Sequence, residues 1–181
     1  QLSKYQKSFT QHAKKLNASR QKAADSLSKS TIDLLKTLAM PEVNFKIDLQ
    51  EETIEKATRL GTDQVEFLVT SNPGQPLAPL KKVASGGELS RIALAIQVAT
   101  MSNMNVPSLI FDEVDVGIGG GTAEIVGKLL RKLGSNQQVL CVTHLPQVAA
   151  QAHHHLEVAK VQTDKSTSTS ISSLYKKDRI D

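Results

Sequence analysis

Asp112 and Glu113 stand directly after the apolar run Leu109-Ile110-Phe111, and Asp115 follows two residues on. Carboxylates crowded in this way repel one another unless a cation or a proton offsets them. An uninterrupted apolar run reads as a strand covered on both faces, central in a parallel sheet. Open α/β sheets bind ligands beyond the carboxyl ends of their strands. The chemistry this pair suits is metal-assisted attack by water. Asp112 would hold Mg2+, directly or through water, and Glu113 would orient and deprotonate the attacking water. The plain alternative is a strand that simply runs into an acidic loop.

Two further groups could act with them. Ser85 and Glu88 have the Ser-x-x-Glu spacing of a capping box, in which each side chain can bond the other residue's backbone N–H. Gly86 and Gly87 between them cost helix propensity, which suggests that something comes close to the backbone there. Bare N–H groups and the positive end of a helix dipole suit an anion, most often phosphate. The alternative is an ordinary capped helix whose glycines shape a loop. His144 follows a second apolar run, Val139 to Val142. It would share a sheet edge with Asp112 and Glu113, although a lone histidine at a strand end is usually structural.

These residues need elements to carry them. A helix is expected from Ser85 to about Met101, with Leu89, Ile92, Ala93, Ile96 and Ala99 as its inner stripe. Leu94 and Val98 widen that stripe, so the helix should be buried nearly all round. Asn103, Asn105 and Pro107 close it. Gly117 to Gly121 form a glycine-rich loop that is not a phosphate-binding P-loop, because no Lys-Ser or Lys-Thr follows. A helix over residues 122–133 should turn Ile125, Val126, Leu129, Leu130 and Leu133 inward and stop at Gly134. Pro146 opens another short helix.

Ahead of this block, Leu2, Tyr5, Phe9, His12 and Leu16 recur at spacings of three and four, and Ala23, Leu27, Leu34 and Leu38 roughly continue the stripe. That is the narrow seam of a coiled-coil arm over residues 1–40, with His12 a tolerated polar member, and it needs a partner helix. Pro41 ends it. From there the period becomes two: Val43, Phe45, Ile47 and Leu49 mark one half-buried strand, and Val65, Phe67 and Val69 another. A charged connection over residues 51–60 and a turn at Gly61-Thr62-Asp63 join them. Asn72-Pro73-Gly74, Pro76 and Pro79 make a loop. His153-His154-His155 form a poor chelate, since consecutive residues on a strand face opposite ways. Leu156, Val158 and Val161 mark a further strand, and Thr167 to Leu174 a last, exposed one.

Composition bounds the rest. The chain has 181 residues, 39% of them hydrophobic and 3% aromatic, with no Trp, so aliphatic side chains must fill one good core. Its single cysteine, Cys141, excludes an internal disulfide and reads as a small buried hydrophobe rather than a nucleophile. No stretch is long and apolar enough to span a membrane, and the start does not read as a signal peptide. Residues 1–40 carry eight Lys or Arg against two Asp, and residues 41–181 carry fourteen against sixteen, which together give the net charge of +4. The basic arm suits either nucleic acid or a solvated helix face.

Taken in order, the glycine-rich helix start, the strand ending Asp112-Glu113 and the strand ending His144 resemble the signature motif, Walker B and switch histidine of ATP-binding-cassette ATPases. With the arm ahead of them, they resemble the structural-maintenance-of-chromosomes (SMC) type of head. The runs Val65 to Arg91, Leu109 to Gly117 and Val142 to Ala149 resemble a bacterial DNA-repair branch of that family. The resemblance implies an α/β fold: part of a P-loop NTPase head with a mostly parallel sheet flanked by helices, a small antiparallel portion near residues 43–70 and a coiled-coil arm segment. It divides the chain into an arm (1–40) and the C-terminal lobe of the head (41–181). It implies that Ser85, Gly86, Gly87 and Glu88 contact the γ-phosphate of ATP on an opposing head, with Asp112 on Mg2+, Glu113 as catalytic base and His144 sensing the γ-phosphate. Asp115 to Gly119 would be the D-loop at the dimer interface, although related heads often carry Asp where Gly119 stands.

No Gly-x-x-x-x-Gly-Lys-Ser/Thr occurs in the sequence, so nothing here can cradle the α- and β-phosphates. In the resembled family that motif lies in an N-terminal half. This chain is therefore expected to be the C-terminal half of a head plus the returning arm, inactive alone, with a sheet edge or apolar face left uncovered. The tail is expected to stop short of the family's final helices. The implied partners are that missing half, a second head in a homodimer, and DNA, with no membrane. The implied place is the bacterial cytoplasm at the nucleoid, and the implied role is ATP-dependent double-strand-break repair. A non-catalytic module that dimerises and clamps DNA, or another coiled-coil cassette ATPase of DNA repair, are the alternatives.

Overall fold

The computed structural model describes residues 1–83, 85–101, 106–163, 166–175 and 178. The chain folds as two compact units, Gln1–Met104 and Asn105–Asp181.

The first unit opens with helix α1, Leu2–Thr37. The seam is exposed near its start: Leu2 is 74% and Tyr5 68% accessible. Further along, Thr31, Leu35 and Leu38 are buried, where α1 packs on strand β1, Asn44–Glu51, and on helix α2, Gly86–Thr100. Ser28 Oγ accepts a hydrogen bond of 3.1 Å from the Ile47 N–H of β1. The helix therefore does not run free as far as Pro41. Its last turns belong to the core of this unit. Ala39, at φ 59°, turns the chain out of it.

β1 pairs antiparallel with β2, Asp63–Thr70, from Asn44 opposite Thr70 to Glu51 opposite Asp63. The expected alternation holds at the start of β1, where Phe45 and Ile47 are buried and Asn44 and Lys46 are exposed. Phe45 and Phe67 meet across the pair with ring centroids 5.8 Å apart. The turn into β2 bends at Gly61, φ 101°. Asp63, expected in that turn, instead begins the strand. The expected loop at Pro79 is in part a short third strand, β3 (Ala78–Pro79), antiparallel to β2. It lies at the sheet edge, where proline's missing N–H leaves no ladder bond unmade.

Helix α2 has the expected bounds but a different buried face. Gly87, Arg91, Ile92, Leu94 and Ala95 are buried, while Leu89 is 42% accessible and Ala93 is exposed. A sequence apolar nearly all round does not specify which side faces the core.

In the second unit, β4 (Ser108–Phe111) pairs parallel with β5 (Gln138–Cys141) through helix α3 (Gly120–Leu133). Ala123, Val126, Leu130 and Leu133 of α3 are buried, whereas Ile125, expected inward, is 36% accessible. Helix α4, Pro146–Ala149, begins at the expected proline. It packs closely on α3 at Gly127, where a Cβ would lie 2.7 Å from Gln151 Cγ. β6 (His155–Thr163) and β7 (Ser166–Leu174) form an antiparallel ribbon. Among the described residues, parallel pairing is confined to β4 and β5.

One expectation about β4 is corrected. Only one face of the β4–β5 pair is covered. Ile110, opposite Leu140 in register, is 72% accessible, Leu140 is 46% and Val142 is 62%. An apolar face is present, and these side chains on it are exposed. The expected closing residues Asn103 and Asn105, and most of the charged tail, lie outside the described residues.

Candidate functional site

The residues expected to do chemistry stand in both units. Ser85, Gly86, Gly87 and Glu88 belong to the first, and Asp112, Glu113, Asp115 and His144 to the second.

Ser85 is the N-cap of α2, and its Oγ accepts a 3.3 Å bond from the Glu88 N–H. The reciprocal half of the capping box is not the one made. Glu88 Oε2 instead accepts a 2.9 Å bond from Ser71 Oγ, just past the end of β2. The strand end thus holds the acid of the first helical turn, and Gly86 is left exposed at the helix start. One turn in, Arg91 is 7% accessible. Burial pushes its guanidinium below the usual range, and the charge of Glu88 works against that shift. The exposed glycine and the dipole of a 15-residue helix present positive potential to solvent, as an anion site requires.

In the second unit, parallel pairing sets Phe111 opposite Cys141, and the Val142 N–H donates to the Phe111 carbonyl at 2.9 Å. Asp112 and Thr143 therefore leave the sheet at one edge. Asp112 Oδ1 accepts from the Glu113 N–H at 2.9 Å. Glu113 adopts φ 58°, left-handed backbone that a residue with a Cβ rarely takes. Its side chain and that of Asp112 are exposed, while Val114 and Asp115 are buried. The Asp115 carboxylate, 2% accessible, accepts a hydrogen bond from Thr143 Oγ1. His144 Nδ1 lies 3.7 Å from the same oxygen, with the imidazole 70% accessible. Cys141, half-buried behind the strand ends, has its thiol pushed up to about 11 by burial and by the charges of Asp115 and Asp112. That is the inert, apolar role expected of it.

Among the described residues no group of three or more His, Cys, Asp or Glu side chains is placed to hold a metal, the histidines at 153–155 included. Mg2+ makes no such demand. It keeps several waters and takes one or two carboxylates together with substrate phosphates. A single exposed carboxylate at a strand end, Asp112, fits that habit.

Sequence reasoning passed over Ser71, Arg91 and Thr143. Thr143 could have been found, because it stands between the apolar run and His144 as Asp115 stands beyond Glu113. Ser71 carries no signal of its own. Its role depends on where β2 ends.

Similarity to solved structures shows the fold. The fold resembles the Smc head domain with coiled coil and joint from Pyrococcus yayanosii (TM-score 0.59, 20% identity, 86% of this chain and 28% of that one). It also resembles an SmcHead solved with the C-winged helix domain of ScpA (TM-score 0.54, 20% identity, 88% and 46%). The chain has the fold of part of an Smc head domain. No protein-family model matches it.

In sequence it is similar to DNA repair proteins named RecN over nine-tenths or more of its length. It is 54% identical to the DNA repair protein RecN of Vibrio cholerae over 172 residues, covering 95% of this chain and 31% of the relative. To RecN of Haemophilus influenzae it is 50% identical over 165 residues (91% and 29%). To RecN of Rickettsia prowazekii it is 41% identical over 169 residues (93% and 30%). The chain thus spans less than a third of the length of the curated relatives it matches.

Proposed function

We propose that this chain is the C-terminal lobe of the head of an SMC-like ATPase acting in DNA double-strand-break repair, together with part of its helical arm. The observation that carries the reading is the identity of 41–54% to DNA repair proteins named RecN along nine-tenths or more of the chain. The order of candidate motifs agrees with it. In this reading residues 1–40 are the arm segment and residues 41–181 the lobe.

ATP lies between two heads. Ser85, Gly86, Gly87 and Glu88 bind its γ-phosphate from the opposing head with backbone N–H groups and a hydroxyl. Glu113 accepts a proton from the attacking water, and His144 contacts the γ-phosphate. Asp112 is the residue that would hold Mg2+, and the ion, when bound, offsets phosphate charge. The α- and β-phosphates need a Walker A motif that this sequence does not contain, so the chain alone does not turn ATP over. The uncovered face at Ile110, Leu140 and Val142 supports a partner lobe that completes the sheet. Head dimerisation is supported by the likeness to a structure titled for ATP-driven dimerisation of SMC ATPases (TM-score 0.50, 18% identity). The exposed lysines 15, 22, 29 and 36, seven apart along α1, support contact with DNA phosphates. Among the described residues no helix is long and apolar enough to cross a membrane, and the proposed setting is the bacterial cytoplasm at the nucleoid.

The test is ATP turnover by this chain alone, by the chain mixed with the N-terminal half, and by that mixture carrying Glu113→Gln. Activity that appears only on mixing and disappears with the substitution is expected. Turnover by the isolated chain, or a mixture indifferent to Glu113→Gln, would overturn the reading.

A further inference from the structure

We propose that Thr143 is a positioning residue: acting through Asp115, it holds Glu113 and His144 in fixed relation. The inference rests on the hydrolytic reading above. Glu113 occupies left-handed backbone at φ 58°, and such a conformation persists only where its surroundings over-determine it. Two buried anchors directly follow it. Val114 is fully buried and Asp115 is 2% accessible. A buried carboxylate needs partners, and Thr143 Oγ1 donates to Asp115 Oδ2. The same hydroxyl oxygen accepts from the Leu145 N–H at 3.1 Å. One hydroxyl therefore ties the turn that presents Glu113 to the residues on both sides of His144. His144 Nδ1, 3.7 Å from that Asp115 oxygen, is placed by the same junction. Asp115 itself, buried and engaged by Thr143, is in this inference a positioning residue and not a nucleotide contact.

Nothing in the link needs Thr143 to touch ATP. Its loss should therefore misplace the base and the switch histidine while leaving binding intact. Val is the isosteric probe, since it keeps the volume and removes the hydroxyl. Ser restores the hydroxyl. The experiment is steady-state ATP hydrolysis by the whole protein carrying Thr143→Val, Thr143→Ser or Glu113→Gln. Thr143→Val is expected to lower kcat about 10- to 100-fold with KM little changed, and Thr143→Ser to return most of the loss. Adding Asp115→Ala to Thr143→Val should cost little more, because one link is broken once. Wild-type kcat in Thr143→Val, or a raised KM with kcat retained, overturns the proposal while Glu113→Gln remains inactive. If Glu113→Gln keeps turning over, the hydrolytic reading itself fails. Should Thr143→Val not fold, Thr143→Ala is read by the same criteria.

Discussion

Arg20 of α1 reaches across to Asp63, the first residue of β2, with Nη1 2.8 Å from Oδ2. Asn17 Nδ2 donates to the other oxygen at 2.6 Å. The Asp63 side chain is 1% accessible, so two helix residues supply the partners this carboxylate needs. Asp63→Ala is expected to destabilise the first unit by about 1–3 kcal/mol, the cost of stranding polar partners. Thermal denaturation checks this, and a midpoint within error of wild type would contradict it.

The same contact sets a pH dependence. Burial raises the Asp63 carboxyl, but the bonds from Arg20 and Asn17 and the charge of Arg20 outweigh it, so the group sits below its ordinary 3.8. A folded value below the unfolded one adds stability above the unfolded value and loses it as pH falls through the folded one. Wild type should therefore lose stability below pH 3.8 more steeply than Asp63→Asn. Denaturation midpoints across acidic pH measure the difference.

Ser85 separates capping from anion binding. Asp caps a helix about as well as Ser, yet its charge opposes phosphate. Ser85→Asp should keep stability within about 0.5 kcal/mol while ATP turnover by the whole protein collapses. Ser85→Ala should instead cost about 1 kcal/mol of stability. Turnover retained in Ser85→Asp would remove Ser85 from the phosphate site.

The bare face of the β4–β5 pair predicts a surface-specific effect. Ile110 is 72% accessible, so Ile110→Lys should leave the fold of this chain unchanged. It should abolish association with an added N-terminal half, since burying an unpaired ammonium is strongly unfavourable. Sedimentation of the mixture reads the outcome. Complex formation at wild-type strength would mean that another surface joins the two halves.

Cys141 should be slow to alkylate. With its thiol raised to about 11, thiolate is scarce at pH 8. Iodoacetamide labelling should lag far behind that of a free thiol and accelerate only as pH approaches that value.

The elements that carry the site were legible because their signals are local. A proline at the first position of α4, a Ser-x-x-Glu at the start of α2, and two apolar runs each ending in polar residues need no knowledge of the rest of the chain. What escaped depends on tertiary context. The buried face of α2 was misread because apolar residues surround it, and packing, not periodicity, selected Arg91 and Leu94 over Leu89 and Ala93. The destination of the Glu88 carboxylate is set by where Ser71 falls. β4 reads as covered on both faces because its run is apolar throughout, and the sequence alone does not say what covers each face.

Two attachments along α1 have a mechanical consequence. Asn17 and Arg20 are pinned at Asp63, and Thr31, Leu35 and Leu38 are sunk into the core. At 1.5 Å per residue these attachments lie about 20 Å apart, and Ser28, bonded to the Ile47 N–H, holds the helix between them. A load travelling down α1 from its start first meets the sheet through Asn17 and Arg20, some twenty residues before Pro41. A twist of α1 must either break the carboxylate's two bonds or rotate β2 with it, which makes Asp63 the point where torque on the helix enters the sheet.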